Sequence, residues 1–148
     1  DALTWADVYS KKPVEYLEAL SRGAEIVECV EKDPQALQVC RDNFEIVSRG
    51  VVELGKFQAH GGAVNTFIRS ASGNPFNVIF LDPPYEFSNE DIENILTALT
   101  SSSLLAPAAI VAVERPARIS AFAWPAGFTA SKERKYGEAL VYFASVSL

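Results

Sequence analysis

Six residues, Phe76-Asn77-Val78-Ile79-Phe80-Leu81, make a nearly unbroken apolar run, and Asp82-Pro83-Pro84-Tyr85 follows directly. A run of that length with almost no alternation suits a strand buried on both faces, as in the middle of a parallel sheet covered by helices. The prolines end it abruptly, because each fixes φ and neither can donate a backbone N–H to a central ladder. The flanking sequence points to the same architecture. Residues 25–30 read as a strand. Pro34 then opens a helix running to about Ser48, with Ala36, Leu37, Val39, Cys40, Phe44 and Val47 at three-to-four spacing. Val51-Val52-Glu53-Leu54 begins another strand-like segment, Ala63 to about Ser70 another helix, and Ser72-Gly73-Asn74-Pro75 a turn. Ser88, with Asp91 three residues on, resembles a capping box ahead of a helix whose Ile92, Ile95, Leu96 and Leu99 share one face. Residues 108–113 are a further buried strand. Residues 128–135 and 139–144, joined through Tyr136-Gly137, predict an antiparallel pair. Strands alternating with helices and closed by such a pair predict an α/β domain, a mostly parallel doubly wound sheet with a mixed edge.

The chain has 148 residues, 49% hydrophobic and 22% charged, which fits one globular domain over residues 1–148. No apolar run approaches the roughly 18 residues that cross a bilayer, and no signal-peptide pattern opens the chain, so a cytoplasmic protein without a membrane partner is expected. The sequence begins at Asp1 and contains no methionine, so it reads as a core that lacks an N-terminal extension. The net charge of -6 gives no overall basic excess. Contact with a polynucleotide would therefore rest on local clusters, Lys11-Lys12 or Lys132-Glu133-Arg134-Lys135. Cys29 and Cys40 form no C-x-x-C pair. They read as reduced thiols, one on a strand and one on a helix, and no metal site is expected.

The chemistry concentrates after residue 81. Ligands of open α/β sheets bind beyond the carboxyl ends of the strands, and Asp82-Pro83-Pro84-Tyr85 stands at such an end. Asp82 offers an acceptor and Tyr85 an aromatic face. The prolines should hold the local carbonyls stiffly and keep them out of a regular turn. Acceptors beside an aromatic platform suit a planar ligand bearing an amino group, such as a nucleobase. A stiff turn without chemistry is the other reading of the same residues. His60, the sole histidine, is not needed as a base in either.

Asp82-Pro83-Pro84-Tyr85 matches the D-P-P-Y motif of S-adenosylmethionine-dependent methyltransferases that act on exocyclic amino nitrogens of nucleobases. The tetrapeptide is shared by adenine-N6 and guanine-N2 enzymes. Leu17-Glu18-Ala19-Leu20-Ser21-Arg22-Gly23-Ala24 resembles the helix after the first strand of the RsmD-type enzymes, and Val30-Glu31-Lys32-Asp33, with Asn43 beyond, resembles the end of their second strand. Glu114-Arg115, Trp124-Pro125 and Tyr136-Gly137 also fall where those enzymes have similar residues. The resemblance runs from about Leu17 to the end. It implies a Rossmann-like class I methyltransferase fold with an antiparallel C-terminal strand, S-adenosylmethionine as cofactor, and methylation of a guanine N2 in small-subunit ribosomal RNA. Glu31 would accept from the cofactor's ribose hydroxyls, beside Lys32. Ala63, after a Gly62 that stands where the family often has an acid, would lie near the adenine. Asp82, the Pro83 carbonyl and Pro84 would hold the target amine, and Tyr85 would stack on the base. Asp7 is matched to the acid at the end of the first strand, and Lys132, Arg134 and Lys135 are candidate RNA contacts.

The likeness breaks near the start. The family's first strand ends in an acid and an aromatic followed by A-G-S-G, whose glycines allow close approach to the cofactor. Here Asp7-Val8-Tyr9 is followed by Ser10-Lys11-Lys12-Pro13. Either the turn has diverged, or the first strand and turn are missing and residues 1–4 correspond to the helix before them; the second reading is the preferred one. The family's basic N-terminal hairpin is also not visible. Two other functions stay open: adenine-N6 methylation of DNA or RNA, and an inactive binding module that keeps the fold.

Overall fold

The computed structural model describes residues 4–8, 24–49, 55–70 and 75–147. Among these, one seven-stranded sheet is built from β1 (Thr4–Val8), β2 (Ile26–Glu31), β3 (Lys56–Gly61), β4 (Phe76–Leu81), β5 (Leu105–Pro116), β6 (Phe128–Tyr136) and β7 (Ala139–Val146). Three helices accompany it among the described residues: α1 (Pro34–Ser48), α2 (Val64–Ser70) and α3 (Asn89–Thr100). The strand order is β3-β2-β1-β4-β5-β7-β6. β1 to β5 pair in parallel, and β7 runs antiparallel to both β5 and β6. This is the α/β sheet with an antiparallel C-terminal strand that the sequence predicts. No helix among the described residues is long and apolar enough to cross a membrane.

β1 overturns one expectation. Residues 4–8 form the strand between β2 and β4, with Asp7 in register with Cys29 on one side and Phe80 on the other. The first strand is therefore present at the centre of the sheet, and Thr4 belongs to it rather than to a helix that precedes it. Five residues are too few for a periodic signal, so only the two flanking ladders reveal it. The divergent turn Ser10-Lys11-Lys12-Pro13 lies outside the described residues. So do the segment 17–23, Val51-Val52-Glu53-Leu54 and Ser72-Gly73-Asn74.

Local chemistry sets the element ends. The Asp33 carboxylate caps α1 by accepting from Gln35 N at 3.1 Å, and Pro34 takes the first turn, where its missing donor does no harm. At α3 both capping-box bonds form: Asp91 N donates to Ser88 Oγ at 3.0 Å and Ser88 N to Asp91 Oδ2 at 2.9 Å. That start aims Ile92, Ile95, Leu96 and Leu99, each at most 3% exposed, at the sheet. They join Phe76, Ile79 and Leu81 of β4 and Val111 and Val113 of β5 in the main core. Along β4 those three side chains are buried while Asn77, Val78 and Phe80 are half-buried, so neither of its alternating faces is open to solvent. Cys29 and Cys40 bring β2 and α1 together with sulfurs 3.9 Å apart, well beyond the roughly 2.05 Å of a disulfide.

β5 is longer than the pattern at 108–113 suggests. Its register with β4 jumps from Phe76↔Leu105 to Val78↔Ile110, and Ala108 adopts φ +59 in the bulge. The bulge is what lets Pro107 sit inside a strand. At the start of β3 the approach is closer still. A Cβ on Gly55 would run into the carbonyl oxygens of Ala24 and Glu25, beside the 2.8 Å bond from Lys56 N to Glu25 O. Gly55→Ala is therefore expected to destabilise the protein by about 1–3 kcal/mol, the usual range for overpacking. Urea unfolding checks this, as a lower midpoint at unchanged slope.

Candidate active site

The carboxyl ends of β2, β3 and β4 open on one cleft of about 770 Å³. Glu31, Lys32 and Asp33 line it after β2, Ala63, Val64 and Asn65 after β3, and Pro84, Glu86 and Phe87 after β4; Asp91, Asn94 and Ile95 of α3 complete the wall. The strand order reverses at β1, between β2 and β4. The cleft thus sits at the topological switch point, where the loops diverge and leave a crevice.

Glu31 anchors one side. It is 8% exposed, its Oε1 accepts from Asp33 N at 2.9 Å, and its main-chain oxygen accepts from Gly62 N at 3.1 Å. The side chain is thus oriented by its own loop while its backbone ties the β2 and β3 loops together. Gly62 adopts φ +129, a conformation that L side chains rarely take, and delivers Ala63 to the cleft wall. Of the sequence candidates, Glu31, Lys32, Ala63 and Pro84 meet in this cleft.

The D-P-P-Y loop spans a gradient of exposure. Asp82 is 7% exposed, Pro83 buried, Pro84 half-buried and Tyr85 57% exposed. Pro84 lines the cleft, whereas Asp82, Pro83 and Tyr85 do not. One expectation needs correction. The Pro84 carbonyl does enter a turn, accepting from Phe87 N at 3.0 Å. A proline loses its donor but keeps its acceptor, and here the N–H comes from the residue three positions on. Asp7 lies in β1 in register with Phe80, two positions before Asp82.

The basic candidates divide. Lys132, Arg134 and Lys135 are all exposed on β6, the edge strand separated from β4 by β5 and β7. Side chains alternate along a strand, so Lys132 and Lys135 do not share one site. Lys132 Nζ lies 4.9 Å from the centre of the Phe143 ring, while Lys135 borders a shallow depression with Arg118. His60 does not line the cleft; its Nε2 lies 2.7 Å from Glu28 Oε1 across the β2–β3 pair.

Sequence reading gave Arg115 no role. It is 3% exposed at the end of β5, where Nη2 donates to Phe87 O at 2.7 Å and approaches Asn89 Oδ1 at 3.5 Å. Its Nε and Nη1 are buried without an acceptor. Burial pulls the guanidinium below its ordinary value, with the nearby Tyr142 and Asp91 opposing. The Tyr142 hydroxyl is pushed up by burial and by Glu133, against Arg115. The sequence signal was present: an arginine stands two positions beyond the apolar run at 108–113, where charge is seldom buried without a reason. Arg115 holds the loop behind Tyr85 to the neighbouring strand.

Among solved structures, a conserved hypothetical protein from Streptococcus pyogenes superposes with a TM-score of 0.85 at 23% identity, over 99% of this chain and 88% of that one. The candidate methylase HI0767 from Haemophilus influenzae gives 0.82 at 23% identity, over 98% and 87%. The candidate methyltransferase yhhF from Escherichia coli gives 0.77 at 22% identity, over 97% and 75%. A comparison with curated proteins finds no match. At these identities the likeness establishes the fold, that of class I methyltransferases. The profile described as conserved hypothetical protein 95 matches residues 2–145, nearly the whole chain, and the chain belongs to that family.

Proposed function

We propose that the protein is an S-adenosylmethionine-dependent methyltransferase that modifies the N2 amine of a guanine in small-subunit ribosomal RNA, acting in the cytoplasm. The observation that carries the reading is that Pro84 of the D-P-P-Y loop, at the end of β4, lines the same cleft as the buried Glu31. Solved structures sharing the fold include one named as a candidate methyltransferase and one as a candidate methylase. The guanine assignment rests on the resemblance to RsmD-type enzymes.

The cleft fits the cofactor. Its volume is within the range of small-molecule sites, about 300–1,000 Å³. A carboxylate has about four acceptor positions, and the Asp33 N–H at 2.9 Å uses one of those on Glu31, so a pair of vicinal hydroxyls can be received there. The exposed Ala63 and the half-buried Pro84 give the cleft wall apolar surface against which a planar base could lie. When bound, S-adenosylmethionine supplies an electrophilic methyl group on a sulfonium.

The chain's own residues do the rest. The exocyclic amine is a poor nucleophile because its lone pair is delocalised into the ring. The Asp82 carboxylate and the Pro83 carbonyl accept its two N–H bonds, which favours a pyramidal nitrogen and turns the lone pair toward the donor. The same two oxygens stabilise the positive charge that grows on nitrogen during transfer, and the Asp82 carboxylate takes the proton that the methylated nitrogen sheds. Tyr85 offers its ring to the base, fixing the plane in which the amine lies. Positioning of this kind supplies much of the acceleration in a one-step transfer.

Two measurements test the reading. Isothermal titration of the full-length protein with S-adenosylmethionine should show saturable binding, and no detectable heat would count heavily against the proposal. Small-subunit RNA treated with the protein should carry the new methyl on guanine N2; a methyl on adenine N6 would move the assignment to the other D-P-P-Y chemistry. Glu31→Gln removes the charge from the hydroxyl acceptor at nearly constant shape. It is expected to weaken cofactor binding about tenfold or more, the range for a charge-assisted hydrogen bond.

A further inference from the structure

Tyr85 and Arg118 stand opposite each other at the rim of the sheet. The Arg118 Cζ lies over the Tyr85 ring, 5.9 Å from its centre. Both side chains are exposed, yet both backbones are pinned. Tyr85 sits inside the turn closed by the 3.0 Å bond from Phe87 N to Pro84 O, and Arg115 holds the Phe87 carbonyl from behind at 2.7 Å. Arg118 sits in a turn closed by Ile119 N to Pro116 O at 3.2 Å, and its neighbour Ala117 donates to Glu138 O of the β6–β7 hairpin at 2.8 Å. The two bases are rigid and only the tips can move.

At 5.9 Å from the ring centre the guanidinium carbon stands at the outer edge of cation–π contact, about 6 Å, so the pair touches only loosely and rotation of the exposed arginine side chain can admit a planar ring between them. Tyrosine rings and arginine planes are the surfaces on which unpaired bases stack. Arg118 also borders a depression of about 320 Å³ with Ala117, Lys135, Gly137 and Glu138. Neither Arg118 nor Lys135 forms an ion pair among the described residues. A free planar amine needs no such cations, whereas a nucleotide in a strand brings phosphates on both sides.

We propose that Tyr85 and Arg118 are the two jaws of a clamp that closes on the target base of an unpaired RNA nucleotide, and that Lys135, beside Arg118, takes an adjoining backbone phosphate. This rests on the reading of the D-P-P-Y loop as a nucleobase site and adds the second jaw and the phosphate contact. Lys132 is not part of it.

The test titrates the full chain into a single-stranded RNA oligonucleotide carrying 2-aminopurine, whose emission is quenched on stacking, at several salt concentrations. The wild-type protein should bind and quench. Arg118→Ala should lose most of the quenching and bind about tenfold or more weakly. Arg118→Lys keeps the charge but not the plane, so it should retain the salt dependence and still fail to quench. Lys135→Ala should quench normally while the slope of log affinity against log salt falls by about 0.7, one phosphate contact on a single strand. Unaltered S-adenosylmethionine affinity in each variant controls for folding. Quenching by Arg118→Ala equal to wild type, or wild-type binding without quenching, would overturn the clamp. Wild-type quenching without any methyl transfer would instead overturn the enzyme reading and leave the clamp standing. Methyl transfer by Arg118→Ala at the wild-type KM would do the reverse.

Discussion

Asp82→Ala is expected to lower methyl transfer by at least a hundredfold, with the larger part of the loss in kcat. The proposed contacts of the carboxylate are weak in the ground state, where the amine is neutral, and strengthen as charge develops on nitrogen. Removing a group whose effect grows along the reaction reduces turnover more than it raises KM. Loss of one preorganised electrostatic contact of this kind typically costs a factor of a hundred to a thousand. The folded state should survive. Asp82 follows the last residue of β4, so no ladder bond of that strand depends on its side chain, and the hydrophobic anchors Phe76, Ile79 and Leu81 remain. Asp82 is nevertheless 7% exposed, so truncation will have some effect on stability, and the assay must be paired with urea unfolding. A variant that unfolds with a two-state transition and still turns over at the wild-type rate would show that the catalytic loop lies elsewhere.

What the sequence revealed about this site follows from locality. The run at 76–81, the proline stop after it and the Ser88/Asp91 pair are contiguous signals, and each appears in the structure where the pattern places it. Glu31 was accessible through resemblance, because the end of a strand is a position that the fold itself defines. The failures are non-local. Thr4–Val8 becomes a strand because β2 and β4 offer it ladders on both edges, and no five-residue window carries that information. The strand at 108–113 extends back through Pro107 to Leu105 because a bulge against β4 accommodates the proline. The run Lys132 to Lys135 looked like one basic cluster, yet alternation along β6 sends Lys132 and Lys135 to different places. Arg118 meets Tyr85 only because the β4 and β5 loops emerge at the same rim of the sheet. Arg115 is the extreme case, since its role depends on the carbonyl of a residue 28 positions earlier.

Arg115→Ala is expected to destabilise the protein by about 3 kcal/mol, and Arg115→Met by no more than about 1 kcal/mol. The alanine variant loses a charge-assisted hydrogen bond to the Phe87 carbonyl, about 1.5–3 kcal/mol, and opens a cavity beside Tyr142. Against this stands one relief: the wild-type fold buries a cation with Nε and Nη1 unsatisfied, and removing it returns part of the desolvation penalty. Methionine fills most of the volume and takes the same relief, so its net effect on stability should be small. The sign of the pH dependence separates burial from pairing. Burial lowers the folded-state pKa of Arg115 below its ordinary value, so the charged form is disfavoured at every pH under both values, and stability would be regained only as pH rises through the folded value toward the ordinary one. Between about pH 5 and 9 the stability difference between wild type and Arg115→Met should therefore be constant. A carboxylate pairing strongly with Arg115 would instead make the difference shrink toward the acid end. Turnover should respond differently from stability. Without the bond to Phe87 O the loop that carries Tyr85 loses its anchor, and displacement of a positioned group by about an ångström can cost up to a hundredfold in rate. Near-native stability with turnover reduced at least tenfold is thus the expected signature of Arg115→Met. Native stability with native turnover would mean that the Pro84–Phe87 turn holds Tyr85 in place by itself, and that the buried charge serves some other end.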